Sequence, residues 1–106
     1  MSELTSPLDK EIADIETMQL QSAPNYFDGY IYQTALRIAE ARQKFEKKHP
    51  GRSFSQRFRI GFADSKDLVT IQYHDGQWHC FIRGYEKYGE KDVSLVSLLN
   101  KFYHVH

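Results

Sequence analysis

Cys80 and the five histidines, His49, His74, His79, His104 and His106, are the side chains of this chain best suited to covalent or metal chemistry. A nucleophilic cysteine needs thiolate character, access and a neighbouring base. Cys80 instead falls between Trp78 and Ile82 on the apolar side of an alternating run, and His79 points to the opposite side. The two cannot act as a dyad, and Cys80 reads as a small buried hydrophobe. His104 and His106 would share one side of an extended tail, with His74 or His79 as a conceivable third ligand. Paired Cys or His at the spacings of zinc sites, or an HExxH helix, are absent. Walker, GxGxxG and GxSxG patterns are absent too, and the six glycines are scattered at turns. No catalytic group, metal or other cofactor is implied, no small-molecule substrate is suggested, and a non-enzymatic protein is expected.

A second constellation is built from alternation. In Phe54–Phe62, Phe54, Phe58, Ile60 and Phe62 share one face while Ser55, Arg57 and Arg59 share the other. Leu68–His74 and Gln77–Tyr85 flank Asp75-Gly76, the dipeptide of a two-residue type I′ hairpin. Counting outward from that turn sets Tyr73 opposite Trp78, Ile71 opposite Cys80 and Val69 opposite Ile82 on the apolar side. Gln72 then meets His79, Thr70 meets Phe81 and Leu68 meets Arg83 on the polar side. A one-residue slip would exchange the faces, so the pattern itself selects the register. The polar face gathers Arg57, Arg59 and Arg83 around His79, Phe81 and Tyr85. Cations for phosphates and ring faces for bases are the chemistry of sheet surfaces that hold single-stranded nucleic acid. Lys44, Lys47, Lys48 and Arg52 would extend it.

Helices must position this sheet. Ser6-Pro7 reads as a cap and first helical residue, followed by the stripe Leu8, Ile12, Ile15 and Met18. Pro24 ends that helix, and Asn25 caps a second running to about His49, with Phe27, Ile31, Ala35, Ile38 and Phe45 at helical spacing. Arg42 interrupts the stripe one turn before Phe45. Glu40 with Lys44 and Arg42 with Glu46 stand at i, i+4. Tyr26, Tyr30 and Tyr32 spread aromatic surface around its first half, beyond what one core needs, so they are expected to meet the first helix or another subunit. Asp92 is expected to cap a last helix whose stripe is Leu95, Val96, Leu98, Leu99, Phe102 and Tyr103. The tail His104-Val105-His106 is too short to assign.

The expected fold is α+β, in the order α-α-β-β-β-α, with a three-stranded antiparallel meander packed on one face by the second and third helices. Residues 1–24 form an acidic helical arm or add-on, and residues 25–106 the globular domain. With 106 residues, 41% of them hydrophobic, one core is expected. From residue 25 the order α-β-β-β-α is also that of double-stranded RNA-binding domains. The basic start of the final helix that those domains use is absent, with Lys91 lying between Glu90 and Asp92, so no family follows from the order.

The formal net charge is zero, but its distribution is uneven. Residues 1–36 carry six acids against Lys10, whereas residues 37–60 carry eight cations against Glu40 and Glu46. An acidic arm before a basic middle suits a polyanionic partner, or association between the two halves. One cysteine, no signal-peptide pattern and no long apolar run point to a soluble protein of the reducing cytoplasm. The leading expectation is a small regulatory or accessory protein that binds nucleic acid through the polar sheet face. The alternative is an inhibitor or adaptor of the immunity or antitoxin kind, using Asp14, Glu16 and the tyrosine-rich helix against a protein partner or a second copy. A competing arrangement would lay the acidic first helix across the sheet, with Asp14 or Glu16 pairing with Arg57 or Arg59.

Overall fold

In the computed structural model, which describes residues 6–21, 26–60, 67–82 and 84–105, a single antiparallel sheet carries all three helices on one side. Helix α1 (Pro7–Gln21) and helix α2 (Tyr26–Lys48) precede strands β1 (Phe54–Ile60), β2 (Asp67–His74) and β3 (Gln77–Ile82). A 3₁₀ turn over Glu86–Tyr88, strand β4 (Glu90–Asp92) and helix α3 (Leu95–Val105) complete the chain. The sheet order is β1-β2-β3-β4, every neighbour antiparallel. The α+β class and the meander agree with the sequence. The meander has four strands where three were expected, because β4 is too short to display a period.

Asp75 and Gly76 have φ of 55° and 75°, the two positive values that a type I′ turn requires. The ladder beyond it sets Tyr73 against Trp78, Ile71 against Cys80 and Val69 against Ile82, the expected register. Val69, Ile71, Trp78 and Cys80 are wholly buried beneath the helices. At about 1.5–3 kcal/mol for each large apolar side chain, a slip that turned this set to water would cost more than a small domain has to spare. Strand β1 joins in sequence order, Phe54 against Tyr73 through Arg57 against Thr70 to Ile60 against Asp67.

The helices meet this face through the stripes read from the sequence. Ile31, Ala35, Ile38 and Ala39 of α2 and Leu95, Val96, Leu98, Leu99 and Phe102 of α3 are buried in one core. Leu8 and Ile15 bring α1 into the same core, where it lies against α2. Ser6 caps α1, its Oγ accepting from the Asp9 N–H at 3.1 Å. The residues of the proposed α2 cap, Asn25 and its predecessor Pro24, lie outside the described residues, as does the Gly61–Lys66 connection.

Three local departures have physical causes. Arg42, which breaks the α2 stripe, stacks its guanidinium 3.5 Å from the centroid of the Tyr73 ring and 5.1 Å from that of Trp78, while its Nε donates to Glu46 at 2.8 Å. It fills an aromatic position as a paired cation. The cap of α3 is Ser94, whose Oγ accepts from the Ser97 N–H, and not Asp92. Asp92 belongs to β4, accepts from the Ser94 N–H at 3.0 Å and pairs with Lys101 at 2.9 Å. These interactions, the Ser94 N–H first, hold its carboxyl below the usual carboxylate range. Finally, α3 continues to Val105, through most of the tail left unassigned from sequence.

Glu11 ties the layers together. One carboxylate oxygen accepts from the Trp78 indole N–H at 3.1 Å and the other from the Leu95 N–H at 2.8 Å, joining α1 to β3 and to the first turn of α3. Leu95 is the first residue of α3, so the acid meets both an orphan backbone donor and the positive end of the helix dipole.

Candidate functional site

Because α1, α2 and α3 all sit on the Trp78 face, none of the described helices lies across the other one. Alternation and register bring the polar side chains of four strands into rows. Arg57, Thr70 and Phe81 make one row, and Ser55, Gln72, His79 and Lys91 the next. Arg57, Arg59 and Lys91 are exposed, and Thr70, Gln72, His79 and Phe81 are half-buried. Leu68, 38% exposed, extends this face beside Arg59. Among the residues whose side chains are described, no carboxylate pairs with Arg57 or Arg59. Asp14 pairs with Lys10 on α1, at 3.0 Å, so the arrangement with α1 across the sheet is not the one found.

The face has two unlike ends. At the β4 end the turn over Glu86–Tyr88 presses against β3. A Cβ on Gly89 would stand 2.8 Å from the Cys80 carbonyl oxygen and 3.0 Å from the Phe81 Cβ, an approach only glycine allows. Glu86 lines a cavity of about 210 Å³ there, with His79, Phe81 and Lys91, while Glu90, opposite Cys80 in the ladder, falls on the helix side. The β1 end carries Arg57 and Arg59. The positive charge of this face is therefore concentrated at β1.

Between the two ends His74 and His79 stack, ring centroids 4.0 Å apart and planes within 5°. His74 Nδ1 lies 3.2 Å from an Asp75 carboxylate oxygen. The Nε2 of His79 is buried without a hydrogen-bond partner. Burial first, then the charge of His74, pushes the His79 pKa down; Lys91 adds to this, while a backbone hydrogen bond to His74 and the charge of Asp75 oppose it. The unfolded chain thus binds this proton more tightly than the folded one. The contribution of His79 to stability is complete above its ordinary pKa of about 6.5 and is lost as pH falls from there through the lowered folded value. Thermal melts between pH 7.5 and 5 should therefore show a smaller acid-side loss of Tm for His79→Gln than for the natural sequence. An identical decline in both would show that the folded ring accepts its proton freely.

The residues singled out from sequence divide in space. Arg57, Arg59, His79 and Phe81 share the open face as expected. Arg83 lies outside the described residues. Tyr85, 60% exposed, stands in the turn after β3. Lys44 and Lys48 lie on the helix side of the β1 edge, lining a groove between α2 and β1, and Lys47 and Arg52 are exposed near the end of α2. Of the residues proposed for a protein interface, Tyr30 is half-buried with its ring edge-on to Tyr103 at 6.0 Å, and Tyr32 packs against the core. Asp14 and Glu16 are exposed on α1, and the Tyr26 side chain lies outside the described residues.

Two cations were missed. Lys91 joins the open face only through β4, whose three residues carry no periodic signal. Arg37 lines the edge groove, and its spacing of seven and eleven residues from Lys44 and Lys48, one helix face, was the signal that would have found it.

Burial pushes the Cys80 thiol up to about 12, leaving it protonated at neutral pH. Among the described residues no three His, Cys, Asp or Glu side chains group as a metal site. His104 and His106, the two tail ligands considered from sequence, have side chains outside the described residues. No described helix is long and apolar enough to cross a membrane. Comparison of the chain with protein-family models, with curated proteins and with solved structures finds no match.

Proposed function

We propose that this protein is a small non-enzymatic nucleic-acid-binding protein, regulatory or accessory in role, whose binding surface is the helix-free face of the sheet. The observation that carries the reading is a face that no described helix covers, whose two β1 arginines, Arg57 and Arg59, have no acid partner among the residues whose side chains are described. Their guanidinium groups neutralise phosphates, and the half-buried rings of Phe81, His79 and His74 offer flat surfaces to bases. Tyr85 and the neighbouring Tyr88, 60% and 56% exposed, add aromatic surface beyond β3. The protein meets backbone and ring faces of its ligand, so binding is expected to be tolerant of sequence.

The test is a salt titration of oligonucleotide binding. Each phosphate neutralised on a single strand contributes about −0.7 to the slope of log K against log salt. Binding that fades steeply with salt supports the reading. Binding that is absent at low salt, or indifferent to salt, removes it.

A further inference from the structure

Resting on that reading, we infer that Arg37, Lys44 and Lys48 form a second phosphate-binding row on the helix side of the β1 edge, and that the ligand is a single strand folding over that edge. The three cations stand on one face of α2 and rim a groove of about 570 Å³, with Gln56 and Phe58 of β1 on its far side. Glu40 is the one acid among its lining residues, and none of the three cations has an ion-pair partner among the described residues. Arg57 and Arg59 project from the same strand to the opposite side. The edge is thus a ridge with cations on both flanks.

The ridge itself offers donors. Arg37 Nη2 donates to the Arg59 carbonyl at 3.1 Å, which fixes that carbonyl on the side away from β2. In an antiparallel strand alternate residues point their backbone groups the same way, so the N–H groups of Ser55 and Arg57 also face outward. Backbone N–H groups are ordinary phosphate ligands. Arg37 uses one of its five donors on Arg59 and keeps the rest for the groove.

Charge and stiffness choose the occupant. A second copy paired antiparallel along all of β1 would set Arg57 against Arg57 and bring two basic rows together, which like-charge repulsion opposes. A duplex, stiff over about 150 base pairs, cannot bend around one strand edge and touches a single flank. A single strand, with its freely rotating backbone, can reach both.

The experiment compares Lys44→Gln/Lys48→Gln with the unaltered protein on an oligo-dT and on a duplex of equal length, across 50–200 mM salt. Both lysines are exposed, so the fold is retained. The expected result is an oligo-dT slope shallower by about 1.4, which shrinks the affinity ratio between the two salts about sevenfold, with the duplex slope unchanged. An unchanged oligo-dT slope, while Arg57→Ala/Arg59→Ala still flattens it, would overturn the second row and leave the open-face reading standing. An equal loss on both ligands would overturn the single-strand assignment. If neither pair of substitutions alters the slope, the reading of the open face fails with it.

Discussion

Replacing Glu11 by Ala is expected to lower the free energy of unfolding by about 2–4 kcal/mol, because two buried or half-buried donors lose their acceptor together. One is the indole N–H of Trp78, a side chain with no exposed surface; the other is the N–H of Leu95 at the start of α3. No described side chain other than Glu11 accepts from either. The loss is a large part of the roughly 5–15 kcal/mol available to a domain of this size. Glu11→Gln keeps one acceptor oxygen but turns an amide donor toward the second N–H, so it should fall near half the cost of Glu11→Ala. Urea midpoints at constant m-value measure both. Equal stability of all three proteins would mean that α1 is not fastened by this carboxylate.

Trp78→Ala should cost more, about 3–5 kcal/mol for an aromatic core residue reduced to a methyl group. Trp78 packs edge-on to Phe54 at 6.3 Å and to Tyr73 at 5.1 Å, beneath the Arg42 guanidinium. Its removal opens a cavity where β1, β2 and α2 meet and leaves one Glu11 oxygen without its donor. Trp78→Phe keeps much of the volume and loses the N–H. Combined with Glu11→Ala it forms a double-mutant cycle, whose coupling should be about 1 kcal/mol or more if the hydrogen bond stabilises the fold. A cycle that closes to zero would assign the effect of Trp78 to packing alone.

The hairpin was legible because two independent signals, the Asp75-Gly76 turn and the alternation on either side of it, demand the same register. The open face followed from that register, since period two dictates which side chains share a side. What stayed hidden is long in range or short in extent. Glu11 looked like one more exposed acid of a polar helix face, and its partners lie 67 and 84 residues further along the chain. Strand β4 needs only three residues, fewer than any periodicity can mark, so Lys91 was not placed on the face. Asp92 had the composition of a helix cap, yet the true cap is Ser94, two residues on, because β4 retains Asp92 in the sheet. Arg42 read as a flaw in an apolar stripe because a cation stacked on two rings leaves no mark in a hydropathy pattern. The side on which α1 docks was open on charge grounds, since its acids matched the β1 arginines as well as they matched water. Burial decided it: Leu8 and Ile15 have an apolar core to enter only on the Trp78 side.

Tyr30 and Tyr32 carry more aromatic surface than a helix resting on one sheet needs, and part of it meets α3 and the core.

The central claim is that Arg57 and Arg59 present free positive charge to a polyanion on the open sheet face. Its most direct test is the salt dependence of oligo-dT binding by the natural sequence and by Arg57→Ala/Arg59→Ala, whose exposed substitutions leave the core untouched. The account predicts a slope shallower by about 1.4 in the variant, because each missing guanidinium leaves one phosphate with its counterions in place. Superimposable slopes for the two proteins would contradict it.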